Sequence, residues 1–210
     1  DAFIDGYGPD GGCDEGPGYW FVAGGMLLEA LEQLKNASNG KIDVFQNSLI
    51  KNIGKYIAKV HIHDDYFVNF ADAKPKLEFR GSVPLRYGLR VRDPQMIRFG
   101  LRHLDVKREL ITPPWYELGR TLSLFFNAYD HPLVREVRNS SESRVHKLKH
   151  WFQDVEVMVA RSHQDASKGF FLATKGGNNA ESHNHNDVGN YIVYFHGKPV
   201  VIDVGVGTYT

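Results

Sequence analysis

The chain has 210 residues, of which 42% are hydrophobic and 12% aromatic, so it is long enough and apolar enough to bury a core. Lysine plus arginine equals aspartate plus glutamate at 25 each, which excludes a global field that would draw the protein to a nucleic acid or a membrane surface. Cys13 is the only cysteine, which excludes an internal disulfide framework, and no apolar run reaches the roughly 18 residues that span a bilayer. Because the sequence starts at Asp1 and stops just after an apolar run, we expect a truncation at both ends.

The first two-thirds of the chain carries helical periodicity. Apolar residues recur at spacings of three and four over residues 17–34, and residues 36–40 predict the end of that helix. The pattern returns between Val44 and Val60, and again over residues 116–129 after a pair of prolines. These stretches predict a mainly helical region.

After Trp151 the apolar period becomes two. Val155, Val157 and Val159 alternate with other residues, and short apolar runs follow at residues 170–174, 191–195 and 199–204. Residues 196–198 separate the last two runs and predict a tight antiparallel hairpin. We therefore predict a domain boundary near residue 152, with domains at residues 1–152 and 153–210.

Charge is uneven along the chain although the total cancels. Residues 74–108 contain ten lysines and arginines against three acids. A solvated helix face and an anion-binding wall of a cleft are both open explanations for this surplus. Arg80, Arg86 and Arg90 are the residues to test for anion binding.

The first motif with possible chemistry is a glycine-rich loop at residues 10–20 that ends at a predicted helix start. Asp14 and Glu15 could stabilise that helix through its dipole or present carboxylates to a ligand. Tyr19 and Trp20 have flat amphipathic rings that suit stacking on sugars and suit burial equally well.

The second motif, residues 61–72, crowds polar groups around an aromatic stretch after the second predicted helix. Alternation puts Tyr66 and Phe67 on opposite sides of an extended segment, so Tyr66 is either a core residue or a phenol that lines a cleft. The residues alone favour the core. A phenol that serves as a base must lose a proton with an ordinary pKa of about 10, so it needs cationic or metal-linked neighbours.

The third motif, residues 182–190, is the most specific. His183 and His185 lie two apart in a loop that enters a strand, and Asp203 follows beyond the predicted hairpin. Imidazole and carboxylate groups are ligands that zinc accepts, but a third ligand is not evident. A metal site and an accidental histidine pair both stay open on these residues.

Residues 10–20, 54–73 and 180–210 together resemble the heparinase II/III family of polysaccharide lyases. That family pairs an incomplete (α/α) toroid with an antiparallel β-sandwich. The resemblance implies a multidomain α and β fold, in which the C-terminal part of the toroid precedes the start of a truncated sandwich. It also implies β-elimination on an anionic uronic-acid polysaccharide, of glycosaminoglycan or alginate type, in a bacterial periplasm or outside the cell.

The resemblance assigns roles to individual residues. Tyr66 resembles the family's catalytic tyrosine, and His183 resembles the histidine that works opposite it as the second of the base and acid pair. His185 and Asp203 resemble two ligands of a structural zinc ion, whose remaining histidine would lie beyond Thr210.

The substrate-binding residues are less defined. Glu15 resembles a loop glutamate that shapes the substrate pocket, and Tyr19 offers a stacking face. The family often has a histidine or asparagine about three residues before that glutamate, where this chain has Gly12. The residue that neutralises the substrate carboxylate is therefore open among Asn69, Arg80 and Arg86.

Two other functional classes stay open. An (α/α) glycoside hydrolase would use paired carboxylates, such as Asp14 or Glu15 with a partner about 5–10 Å away, and would release a saturated product. A non-catalytic carbohydrate-binding protein would keep the aromatic residues and the basic segment. It would tolerate the substitutions Tyr66→Phe and His183→Ala, which a lyase would not.

Overall fold

The computed structural model describes residues 2–111, 128, 130–142, 146–178 and 185–204. By its internal contacts the chain divides into two compact units, one formed by Asp1–Leu77 with His146–Thr210 and the other by Glu78–Val145. The predicted domains at residues 1–152 and 153–210 follow the change of apolar period, and that division stays a prediction.

The first unit contains three helices before its strands, namely α1 (Ala2–Asp5), α2 (Pro17–Ala37) and α3 (Ser48–Lys59). α2 confirms the helix predicted from residue 17, with Pro17 in the first turn, where its missing N–H leaves no helical bond unmade. α3 begins later than its apolar pattern because the Asn47 side chain accepts a hydrogen bond from the Leu49 N–H and caps the helix. The Trp20 indole joins the two helices by donating to the Ile53 carbonyl at 2.7 Å.

The described strands of the first unit form two antiparallel sheets. The smaller sheet is a hairpin of β1 (His61–His63) and β2 (Tyr66–Phe67). The larger sheet has five strands in chain order, which are β3 (Lys149–Phe152), β4 (Val157–Arg161), β5 (Phe170–Lys175), β6 (Tyr191–Phe195) and β7 (Lys198–Val201). The hairpin predicted at residues 196–198 is confirmed, since β6 pairs antiparallel with β7 and both His196 (φ 51°) and Gly197 (φ 75°) adopt left-handed conformations.

One face of the five-stranded sheet is buried in the first unit. Its most buried side chains, each at most 1% exposed, include Phe152, Val159, Ala173 and Ile192. Phe152 meets the Tyr56 ring of α3 edge to face, with 5.2 Å between centroids. Arg161 lies on the same face and donates to the His61 carbonyl at 2.7 Å, and burial lowers the pKa of its guanidinium to about 10. The larger sheet is thereby tied to both α3 and the small hairpin.

The second unit is helical where it is described. It comprises α4 (Ser82–Val91), α5 (Pro94–Arg102), α6 (Val106–Ile111) and α7 (Pro132–Asn139). α4 ends at Arg92 in a left-handed conformation (φ 55°), and the Asp93 side chain caps α5 by accepting from the Gln95 N–H. The two helices approach closely at Gly100, where a Cβ would lie 2.4 Å from the Leu85 nitrogen. The core of this unit includes Leu85, Ile97, Ala128, Val134 and Val137.

Some predictions fall on parts of the chain that the structure does not cover. Most of the third helical stretch, predicted over residues 116–129, lies outside the described residues, as does His183. Among the helices that are described, none is long and apolar enough to cross a membrane.

Candidate functional site

The second and third motifs meet within the first unit. The Asp72 carboxylate lies 2.5 Å from His185 Nε2, and both side chains are largely buried, at 9% and 14% exposed. One residue earlier, the Ala71 N–H donates to the buried Asp187 carboxylate at 2.5 Å. Two adjacent residues of the second motif therefore each bind an ionisable side chain of the third.

Asp203 also joins this group of contacts. Its carboxylate accepts a hydrogen bond from the Asn190 side chain at 2.6 Å, and its carbonyl accepts a long one, 3.5 Å, from the Asn69 amide. The Asn190 carbonyl in turn accepts from the Thr174 hydroxyl and the Lys175 N–H, both at 3.0 Å. The 185–203 segment is thus held against β5 at Asn190 and against the second motif at His185 and Asp203.

One residue in these contacts has an unusual backbone conformation. Ala71 has φ 56°, in the left-handed region that a residue with a Cβ rarely adopts. Such conformations persist where surrounding contacts over-determine them, and they cluster at functional sites. At Ala71 the compensating contact is the hydrogen bond to Asp187.

Tyr66 lies in β2 with its ring half-buried between two neighbours. The Lys76 ammonium lies 4.7 Å from the ring centroid, and Tyr194 meets the ring edge to face at 5.5 Å. The backbones of Tyr66 and Lys76 form an antiparallel bridge, and the Phe67 N–H donates to the Pro75 carbonyl at 3.0 Å. Burial and then the proximity of Tyr66 raise the pKa of Tyr194 to about 12, so Tyr194 stays protonated at neutral pH.

Glu15 and Tyr19 line a cavity of about 1020 Å³ in the first unit. Apolar side chains of α2 form part of the remaining wall, and Tyr19 itself is 40% exposed. Among the described residues that line this cavity, neither Tyr66 nor His185 is present. The structure therefore does not bring these two groups of predicted site residues into one cavity.

The glycine-rich loop nevertheless packs against the second motif. Gly16 has φ 85°, and a Cβ there would lie 2.9 Å from the Phe70 carbonyl oxygen and 3.0 Å from the Ala73 Cβ. Only glycine fits this position without displacement of its neighbours. All three sequence motifs are consequently adjacent in the first unit.

The remaining predicted substrate contacts differ in accessibility. Asn69 is 1% exposed and Arg86, in α4, is 2% exposed, whereas Arg80 is half-buried. Arg98 is buried as well, so the surplus of positive charge over residues 74–108 is not simply a solvated helix face. Buried guanidinium groups need hydrogen-bond partners, and this requirement gives Arg86 and Arg98 a packing role whatever else they do.

The sequence assigned no individual role to four residues that the structure brings into the site, namely Asp72, Asp187, Asn190 and Lys76, although Lys76 is one of the ten basic residues over residues 74–108. Three of them lie within the second and third motifs, but the residues that they contact are determined by the fold and not by the local sequence. Asp72 and His185 are 113 residues apart, and no local spacing encodes such a contact. Lys76 is ten residues after Tyr66, and only the antiparallel bridge between them identifies it.

The described residues do not by themselves form the expected zinc site. His185 Nε2 faces Asp72, and the Asp203 carboxylate faces Asn190. Within the described ranges, no group of three or more His, Cys, Asp or Glu side chains could hold a metal ion. Zinc stays a prediction, to be tested by elemental analysis of the protein and of its His185→Ala variant; equal zinc in both would remove His185 from the ligands.

Comparisons with known proteins do not identify a family. No protein-family model matches this chain, and no curated protein matches it significantly.

Proposed function

We propose that this protein cleaves a uronic-acid-containing polysaccharide by β-elimination, with Tyr66 and His183 as the catalytic residues. One observation carries the proposal. Residues 69–72 and 185–203 belong to two separate segments that resemble a polysaccharide lyase, and Asp72 and His185 join these segments at 2.5 Å. A chance likeness in two distant segments would not require them to be neighbours in the fold.

The proposed reaction needs two proton transfers. A base removes the proton at C5 of the uronate, and the released electron pair forms a double bond between C4 and C5. The C4–O glycosidic bond breaks, and an acid protonates the departing oxygen. Water is not consumed, and the new chain end carries a conjugated double bond. Tyr66 and His183 provide the base and the acid, and no step depends on zinc.

The surroundings of Tyr66 support a chemical role. A general acid or base must be held within hydrogen-bond reach of the proton that it transfers, so a ring held in one place favours such a role. The Lys76 ammonium lies over the Tyr66 ring, and the Tyr194 ring packs against its edge. In this proposal Glu15 and Tyr19 contact the polysaccharide, and Asn69, Arg80 and Arg86 remain candidates for its carboxylate.

The substitution Tyr66→Phe tests the proposal directly, because it removes one hydroxyl and keeps the ring contacts. We expect it to reduce the formation of unsaturated product by at least about 1,000-fold, as expected for loss of a group that carries an essential proton. Tyr191→Phe is the matched control, since Tyr191 is 55% exposed on β6 and should keep full activity. Activity retained in Tyr66→Phe would remove Tyr66 from the mechanism.

The substitution His183→Ala is the second test of the same proposal, and we expect a comparable loss. Circular dichroism and the melting temperature of each variant would separate lost chemistry from lost folding. A rival hydrolase mechanism predicts that Asp14→Asn or Glu15→Gln, and not these two variants, abolishes turnover.

A further inference from the structure

We infer that Lys76 contacts the carboxylate of the uronate at the cleaved bond and selects for it. The inference rests on the proposed function and deepens it. It identifies a cation beside Tyr66 that none of the sequence motifs contains.

The chemistry requires such a cation. Removal of the C5 proton moves negative charge onto a carboxylate that is already anionic. Fixed donors and cations aimed at developing charge are usually the largest single contribution to catalysis. A lyase that acts on free uronates therefore needs a positive group close to its base.

Backbone contacts hold Lys76 beside Tyr66. On one side of it the Pro75 carbonyl accepts from the Phe67 N–H at 3.0 Å, and on the other side the Leu77 N–H donates to the Asp65 carbonyl at 3.0 Å. The Lys76 side chain is solvent-exposed on a flexible stem, and its ammonium lies 4.7 Å from the centroid of the Tyr66 ring. A carboxylate bound beside the phenol would be within reach of this ammonium.

The charge around the second motif makes this cation important. Asp72, Asp187 and Asp203 all contact the second motif or its immediate neighbours, with hydrogen-bond partners at His185, Ala71 and Asn190, respectively. Three carboxylates therefore lie in or against the second motif, and a cation beside Tyr66 would offset their field on an anionic sugar.

Asn69, Arg80 and Arg86, the candidates from the sequence, are less suited than Lys76 to contact the substrate carboxylate. Asn69 is 1% exposed, is neutral, and directs its amide to the Asp203 carbonyl. Arg86 is 2% exposed, so a polymer could not contact it without a rearrangement of α4. Arg80 is half-buried, whereas Lys76 is both charged and accessible.

The test compares Lys76→Met and Lys76→Arg on two forms of the polymer that the wild-type protein cleaves, the free uronate and its carboxyl methyl ester. The ester has no charge to neutralise. We expect Lys76→Met to lower kcat/KM by about 100-fold on the free uronate and by less than about 5-fold on the ester. Lys76→Arg should keep most of the activity because a guanidinium preserves the positive charge and also donates to carboxylates. Lys74→Met, which removes an exposed lysine two residues earlier, is the matched control and should behave like wild type.

The outcomes are distinguishable. Equal losses on both polymers would mean that Lys76 only supports the fold around Tyr66, and would overturn the inference. Unchanged kcat/KM in Lys76→Met would overturn it as well, and both results leave the lyase assignment intact. If wild-type protein gives no unsaturated product from any uronate polymer, the proposed function fails and the role of Lys76 fails with it.

Discussion

Asp72 and His185 form one of the contacts between the second and third motifs. Their side chains are largely buried, and a buried charged or strongly polar group that loses its partner costs more free energy than the contact itself provides. We expect Asp72→Asn to lower the free energy of unfolding by about 1–3 kcal/mol. Asp65→Asn removes an exposed carboxylate from the same motif and serves as the control.

Urea unfolding of both variants at neutral pH would measure this effect. If the free energy of unfolding of Asp72→Asn equals that of Asp65→Asn, the Asp72–His185 contact does not contribute to stability.

The lowered pKa of one histidine, His150, predicts how the stability of the protein depends on pH. Burial, and then the charges of Lys59, Arg161 and Lys147, lower the pKa of His150 from 6.5 to about 4. Between these two pH values the unfolded chain therefore binds more protons than the folded chain. The contribution of His150 to the free energy of unfolding is fully present above pH 6.5 and decreases as the pH falls toward 4. Since His150 is partly exposed, we expect a contribution on the order of 1 kcal/mol.

The substitution His150→Gln should make stability less dependent on pH across that window. Urea unfolding at pH 4.5 and pH 7 gives the comparison, with the exposed His196→Gln variant as the control. The same loss of stability on acidification in wild type and His150→Gln would contradict the assignment.

At the scale of elements, the glycine-rich loop and the segment after β2 fit together through Gly16. A side chain there would combine a strained φ of 85° with a contact 2.9 Å from the Phe70 carbonyl oxygen. We expect Gly16→Ala to destabilise the protein by about 1–3 kcal/mol and to reduce activity in parallel.

Gly18→Ala is the matched control for this substitution. Gly18 lies in the first turn of α2, and a Cβ there would meet only the Leu77 side chain at an ordinary 3.8 Å. We expect a neutral or slightly stabilising effect because alanine favours helix. Thermal unfolding of the two variants would measure the difference, and equal melting temperatures would show that the loop does not need glycine at position 16.

Helices α2 and α3 and strands β4 to β7 could be predicted from apolar period, because helices and half-buried strands repeat at 3.6 and 2 residues, whereas helices α4 to α7 were not predicted. α2 begins at the predicted residue, and β4 shows the predicted alternation of burial. The prediction extended that strand back to Val155, but Glu156 has φ 45° and the chain turns there, so β4 starts at Val157. A period does not reveal where a backbone turns when no glycine or proline marks the turn.

At the scale of the whole molecule, the total charge is zero and the distribution of charge is informative. The basic surplus of residues 74–108 suggested a surface wall for an anionic polymer. The structure buries Arg86 and Arg98, so those two charges are interior, while Lys76 is exposed beside Tyr66. Composition counts charges but does not distinguish interior from surface, and this is why Lys76 could not be identified from the sequence.

The contacts among the three motifs could not be predicted from the sequence either. Sequence motifs identified which segments carry unusual polar residues, but the pairing of Asp72 with His185 and of Ala71 with Asp187 requires a fold that joins distant strands and loops. The candidate site was thus predictable as a set of segments and not as a geometry.

The measurement that tests the central claim most directly is the ultraviolet absorbance of the protein incubated with heparan, chondroitin, hyaluronan and alginate chains, with reducing ends counted in the same samples. We predict that absorbance from the conjugated double bond rises with one of these polymers, in step with the reducing ends, and that Tyr66→Phe abolishes both signals. New reducing ends without that absorbance would mean that water cleaves the bond, and would contradict β-elimination in favour of a hydrolase with paired carboxylates.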